Sequence, residues 1–221
     1  MANPTNVRRA LYALALLVPV LLQPAPADAQ TGTIEGHVHL PDAPPRRTAS
    51  RYPGAAPAAR TVQEVPAVAW IAGTIGGAPA AAPADPSLAQ SDTAFAPSVL
   101  IVPVGTSVAF PNRDPFFHNV FSYSSAERFD LGRYPRGESK AVEFDQAGVV
   151  KVYCEVHESM RAAVVVVENS FHAVIGADGR FRIANVPPGR HTLVVWHHEA
   201  GAREVTVDVR AGASTPVQLR F

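Results

Sequence analysis

The apolar residues of this chain fall in short β-branched runs, each cut by Gly, Pro, Asp or Asn before it reaches helical length. With 21 prolines and 15 glycines spread along 221 residues, a helix would be interrupted almost wherever it began. Periodicity near 3.6 is almost absent, so the chain is expected to be all-β. Strands are expected over 33–40, 67–72, 99–104, 107–111, 118–122, 140–144 and 149–153. The nearly pure valine and alanine run 162–167 predicts a strand covered on both faces. Val99 to Val104 and Ser107 to Pro111, flanking Gly105-Thr106, read as paired strands. The tail repeats the pattern from Phe171 to Phe221, with Ala177-Asp178-Gly179 read as a hairpin turn.

The N-terminus is of another kind. Arg8 and Arg9 precede an apolar run from Ala10 to Leu22, and Ala27-Asp28-Ala29 supplies a small-residue cleavage signature before Gln30. Residues 1–29 are therefore expected to be a signal peptide, with the mature protein secreted and periplasmic. The apolar run is too short to cross a bilayer as a helix, so no membrane span is expected. Charges balance at 19 basic and 19 acidic residues. Nothing here attracts nucleic acid at long range. Between the strands, 41–60 reads as an irregular Pro/Ala/Arg-rich excursion, and 76–90, rich in Gly, Ala and Pro, reads as a linker.

Export sharpens the meaning of the single cysteine, Cys154. An oxidising compartment favours disulfides, and a lone thiol there has no intramolecular partner. Cys154 stands at the end of an expected strand in Tyr153-Cys154-Glu155-Val156-His157-Glu158-Ser159-Met160. Thiolate, imidazole and thioether within seven residues suit copper that changes oxidation state. His118, which interrupts the apolar stretch Phe116 to Phe121, is the candidate for the second imidazole; it lies 36 positions upstream, room for three strands. The expected metal ligands are thus His118, Cys154, His157 and Met160. Zinc competes, since a thiolate and two imidazoles bind it well, but thioether is a poor zinc ligand. Glu155 or Glu158 could replace Met160, although such acids more often form a solvated rim. His37 with His39, and His197 with His198, read as exposed or turn histidines rather than a second metal site. No catalytic residue is assigned, because Cys154 and His157 lack an orienting third group and an oxyanion site.

Here the sequence resembles known families. The order Val-x-Val-Gly-x-x-Val-x-Phe-x-Asn-x-Asp, then His-Asn-Val, then Gly-Val-Val-x-Val-Tyr-Cys-x-x-His-x-x-Met resembles the cupredoxins, with a ligand loop similar in length to that of amicyanin. The resemblance covers about Ser91 to Glu168. It implies a Greek-key β-sandwich with one type 1 copper ion, single-electron transfer rather than enzymatic turnover, and a redox partner such as a c-type cytochrome or dehydrogenase. It also implies that Asn119 holds the ligand loop near the cysteine sulfur, and that electrons leave through His157; Phe116, Phe117 and the loop around Met160 are expected, from their apolar character, to form a docking patch there. The flanks, through Gly36-x-Val38, Ala177-Asp-Gly-Arg-Phe-Arg-Ile and Val186-Pro-Pro-Gly-Arg-His-Thr-Leu-Val-Val, resemble a carboxypeptidase regulatory-like, carbohydrate-binding-like β-sandwich. Residues 30–75 and 170–221 would form that second small sandwich, with glycan binding implied, and 91–169 the cupredoxin inserted into it. A copper-binding module with a glycan or envelope partner, or a copper storage and delivery protein, are the alternative functions.

Overall fold

The computed structural model describes residues 31–41, 62–76 and 80–221. The expected signal peptide, and most of the expected excursion over 41–60, lie outside them. Among the described residues there are sixteen strands and no helix. The strands are β1 (Gly32–His39), β2 (Val68–Ile71), β3 (Ala89–Ser91), β4 (Ala94–Ala96), β5 (Val99–Pro103), β6 (Thr106–Pro111), β7 (His118–Tyr123) and β8 (Arg128–Tyr134). They continue as β9 (Ser139–Phe144), β10 (Gly148–Tyr153), β11 (Arg161–Val167), β12 (His172–Val174), β13 (Arg180–Val186), β14 (Gly189–His197), β15 (Gly201–Val209) and β16 (Ser214–Arg220). The all-β class expected from the punctuated sequence, two β-sandwiches in one chain, is what the structure shows.

One sandwich faces the sheet β5-β11-β10-β7-β8 with the pair β6-β9, and β3-β4 lies beside them. Its core includes Leu88, Phe95, Val108, Phe110, Val120, Phe144 and Val152. The other packs β13-β1-β16 on β12-β2-β14-β15 around Ile34, Ile71, Phe181, Ile183, Leu193 and Val207. Both cores follow from period-2 alternation, which sends successive side chains to opposite faces.

The two sandwiches meet along β11. Ala162, Val164 and Val166 belong to the first core, whereas Ala163, Val165 and Val167 pack on Val65, Val68, Trp70 and Trp196 from the other side. The unbroken apolar run is therefore required, since both faces of this strand are interior. The join before β2 is hydrogen-bonded as well. Gln63 N–H donates to Ser159 O at 3.0 Å, and Arg161 Nε donates to Gln63 O at 2.7 Å.

Two pairings expected from turn residues are not made. β5 runs parallel to β11 and β6 pairs with β9, so the Gly105 turn carries the chain from one sheet to the other. Likewise β12 pairs with β2 and β13 with β1, so Asp178-Gly179 joins opposite sheets. Turn chemistry specifies a reversal but not which neighbour each strand finds, and burial of the alternating faces decides that. At Gly179 φ is +77°, and a Cβ there would stand 2.2 Å from Val38 O. Only glycine fits so close to β1.

The expected linker over 76–90 also ends sooner than its composition suggests. Residues 81–85 are exposed, but Ser87 bridges Ala109, and Leu88, Ala89 and Gln90 are buried. A single leucine supplied the apolar anchor that the surrounding Ala/Pro stretch lacks.

Candidate metal centre

β10 delivers Cys154 to the pole of the first sandwich beside the start of β7, where His118 sits. The strands are antiparallel neighbours, with Tyr153 opposite Phe121. Only β8 and β9 intervene in sequence, two strands rather than three. After Cys154 the chain turns back at once, and Met160 N–H donates to His157 O at 2.9 Å before β11 begins. This short loop brings His157 over His118.

Three donor atoms converge. His118 Nδ1 lies 3.7 Å from Cys154 Sγ and 3.2 Å from His157 Nδ1. Among the described residues, His118, Cys154 and His157 form the one group of three His, Cys, Asp or Glu side chains close enough to hold an ion. Met160 is fully buried in the core cluster that also holds Cys154. Three of the four residues expected from the sequence, His118, Cys154 and His157, thus converge at one pole, while Met160 is buried in the core.

The surrounding residues explain why the donors are aimed. His118 is 0% exposed, and its other nitrogen, Nε2, lies 2.8 Å from Asp114 Oδ2. The carboxylate accepts, so Nε2 carries the proton and Nδ1 presents a lone pair to the cluster, as carboxylate partners do for metal-bound imidazoles. Asp114 in turn accepts from the N–H groups of Asp92 and Thr93 at 2.7 and 3.0 Å. Burial alone would push its carboxyl up, but these bonds and the imidazole outweigh it and hold the group below the usual carboxylate range. Asn119 braces the loop as expected, its Oδ1 accepting from Glu155 N–H at 2.7 Å.

The donor set fits a copper ion. A lone pair at His118 Nδ1 facing a second imidazole nitrogen at 3.2 Å needs a cation or a proton between them. Atoms bound at about 2 Å to one ion, at roughly tetrahedral angles, stand about 3.3 Å apart. The two imidazole nitrogens, 3.2 Å apart, match that spacing, the longer-bonding sulfur stands 3.7 Å from His118 Nδ1, and all three donors lie within 4.8 Å of one another.

Other expectations divide. Glu155 and Glu158 are exposed, and Glu155 pairs with Arg133 at 3.4 Å, so neither acid joins the cluster. Phe116 and Phe117 are exposed, and the Phe116 ring lies 5.1 Å from His118 and 5.6 Å from His157. Met160 contributes nothing to that surface; Val156 is the loop's exposed apolar residue. His198, read as an exposed or turn histidine, is instead 5% exposed beneath Tyr153 and Trp196. Asp114 was missed as the partner of His118. The signal was present as Asp-x3-His, but an acid before proline reads first as a turn former.

Comparison with known proteins gives two family matches. Residues 85–168 match the copper binding proteins of the plastocyanin/azurin family. Residues 156–217 match polysaccharide lyase family 4, domain II, a description other than the carboxypeptidase regulatory-like one expected above. No curated protein matches the chain. Among solved structures, the Cu-containing nitrite reductase (NirK) from Thermus scotoductus SA-01 is 26% identical with TM-score 0.37, over 44% of this chain and 25% of that one. The chain therefore spans a quarter of that protein's length. A purple cupredoxin from Nitrosopumilus maritimus is 26% identical with TM-score 0.34, over 37% of this chain and 99% of its own. An amicyanin mutant in its oxidised state is 24% identical with TM-score 0.35, over 37% and 81%. The family match over residues 85–168, together with the His118–Cys154–His157 cluster, supports a copper-binding domain there.

Proposed function

We propose that this chain is an exported type 1 copper protein, periplasmic in location, that passes single electrons between larger redox proteins and transforms no substrate. The observation that carries the reading is the convergence of His118 Nδ1, His157 Nδ1 and Cys154 Sγ on one point beneath a short loop. Copper bound there supplies a one-electron couple. His118, His157 and Cys154 would hold it as strong ligands, with Met160 as the weak one.

The residues around these ligands hold them still. Asp114 fixes the tautomer and orientation of His118, Asn119 fixes the backbone just after Cys154, and Gln63 ties down Ser159 just before Met160. A ligand set that cannot rearrange keeps reorganisation small when charge changes. The apolar core beneath Cys154 and Met160 excludes water from that side. His157 is the less buried imidazole, and Phe116 lies against it, so partner docking is assigned to this pole. The partner class is a c-type cytochrome or a dehydrogenase.

Copper(II) added to the expressed protein should give an intense sulfur-to-copper visible band and a narrow hyperfine splitting in electron paramagnetic resonance. Both should vanish in Cys154→Ser. A colourless protein with ordinary tetragonal copper spectra would sink the electron-carrier reading. Ready loss of copper to a chelator during redox cycling would favour storage or delivery instead. The match of residues 156–217 to a polysaccharide lyase domain favours one further reading, a glycan-binding module. Glycan binding that persists after copper removal would support it.

A further inference from the structure

A second built site lies at the join of the two sandwiches. A cavity of about 360 Å³ opens there, walled by Leu40, Val65, Pro66 and Ile175 and reached by Arg161, His197, His198 and Glu199. Its size is that of a small-molecule site. Glu64, Val174 and Ala177 form an exposed rim.

The informative group is His198. It is 5% exposed, and neither ring nitrogen has a hydrogen-bond partner. Glu199 Oε1 is 3.5 Å from Nδ1, a long ion-pair contact rather than a hydrogen bond, and is already engaged by Arg161 Nη1. A buried imidazole left unpaired at both edges carries the desolvation penalty of two polar groups with nothing to offset it. Neighbouring His197 is committed, its Nδ1 accepting from the N–H groups of Glu199 and Ala200 at 3.3 Å. Burial, with the positive charges of Arg161 and Lys151, pulls His198 down to about 4, so the ring is neutral and offers one donor and one acceptor.

We propose that this cavity binds a small uncharged molecule with an apolar body and a hydroxyl head, the hydroxyl pairing with His198. A hydroxyl donates and accepts through one atom, so it satisfies either nitrogen that faces it. Charge is disfavoured on both sides. Arg161 and Glu199 already pair with each other, so neither is a free counter-charge for a carboxylate or an ammonium, and Glu64 stands at the exposed rim. The apolar walls take the body of the molecule, a ring or chain on the order of ten non-hydrogen atoms.

Calorimetry on the copper-loaded full chain, with phenol and cyclohexanol as probes and benzoate and benzylamine as charged controls, tests this. Saturable binding of a hydroxyl probe, with shifts of the His198 imidazole nitrogens in NMR, is the expected result. His198→Phe keeps a ring but removes both nitrogens and should weaken binding about tenfold. Val174→Trp, at an exposed rim position, should block entry by a similar factor and serves if the first variant does not fold. The proposal is overturned if neither hydroxyl probe saturates, if a charged control binds as tightly, or if binding is unchanged in the variants that fold.

Discussion

Two buried histidines, one at the pole and one at the join, are treated in opposite ways. His118 has a partner on each side, Asp114 at Nε2 and the donor cluster at Nδ1. His198 is almost as buried and has no hydrogen-bond partner, only the long contact of 3.5 Å from Nδ1 to the Glu199 carboxylate. A buried polar group is either satisfied or a standing cost. At the pole the satisfied ring is pinned, which a metal ligand requires. At the join the open ring keeps its capacity for an outside partner.

Predictions that probe this contrast run from large to small. Asp114→Ala removes the acceptor of two backbone N–H groups and of His118 Nε2, so unfolding measurements should show a loss of about 4 kcal/mol. Chelator competition on the same variant should show copper held 10- to 100-fold more weakly, roughly the cost of removing an outer partner of a metal-bound imidazole. Unchanged affinity would mean that Asp114 does not orient His118.

Acid should act next, through His198. Its folded value is depressed from 6.5 to about 4, so between those values the unfolded chain binds a proton that the folded chain lacks. Stability present above pH 6.5 is then lost as pH falls toward 4, by roughly 3 kcal/mol. Denaturant titrations at pH 7 and pH 4.5 should show a smaller drop in His198→Phe than in the parent. Equal drops would remove His198 from the account.

At pH 7 and without added ligand, His198→Phe should raise stability by about 1 kcal/mol, because the unpaired nitrogens disappear and the ring volume stays. A fall of similar size would show that the nitrogens are partnered in solution. The smallest effect is expected at the rim. The Glu155 and Arg133 side chains are 65% and 62% exposed, so Glu155→Gln should change stability by less than about 0.5 kcal/mol.

What could be read from sequence follows the range over which each signal acts. Cys-x2-His is local, and a short loop leaves those two side chains few places to go, so the grouping of Cys154 with His157 was legible. His118 was legible as a histidine in apolar company. The sheet exchange at Gly105 and Asp178-Gly179 was not, because it depends on which distant strand covers each face. The join was half legible. Ala162 to Val167 announced a strand buried on both sides, but not that Trp70 and Trp196 would provide the second cover. His198 could not be singled out, since its lack of partners belongs to the packed fold and not to its neighbours in sequence.

The pairing of β2 with β12 has a consequence for how the chain folds. Ala69 and Ala173 are hydrogen-bonded neighbours separated by roughly a hundred residues, a loop whose closure is entropically costly in an open chain. The intervening sandwich removes most of that cost once formed, since Ile71 N–H and Phe171 O then stand 2.9 Å apart at its entrance and exit. The outer sandwich should therefore assemble after the inner one, on a time scale that the inner one sets.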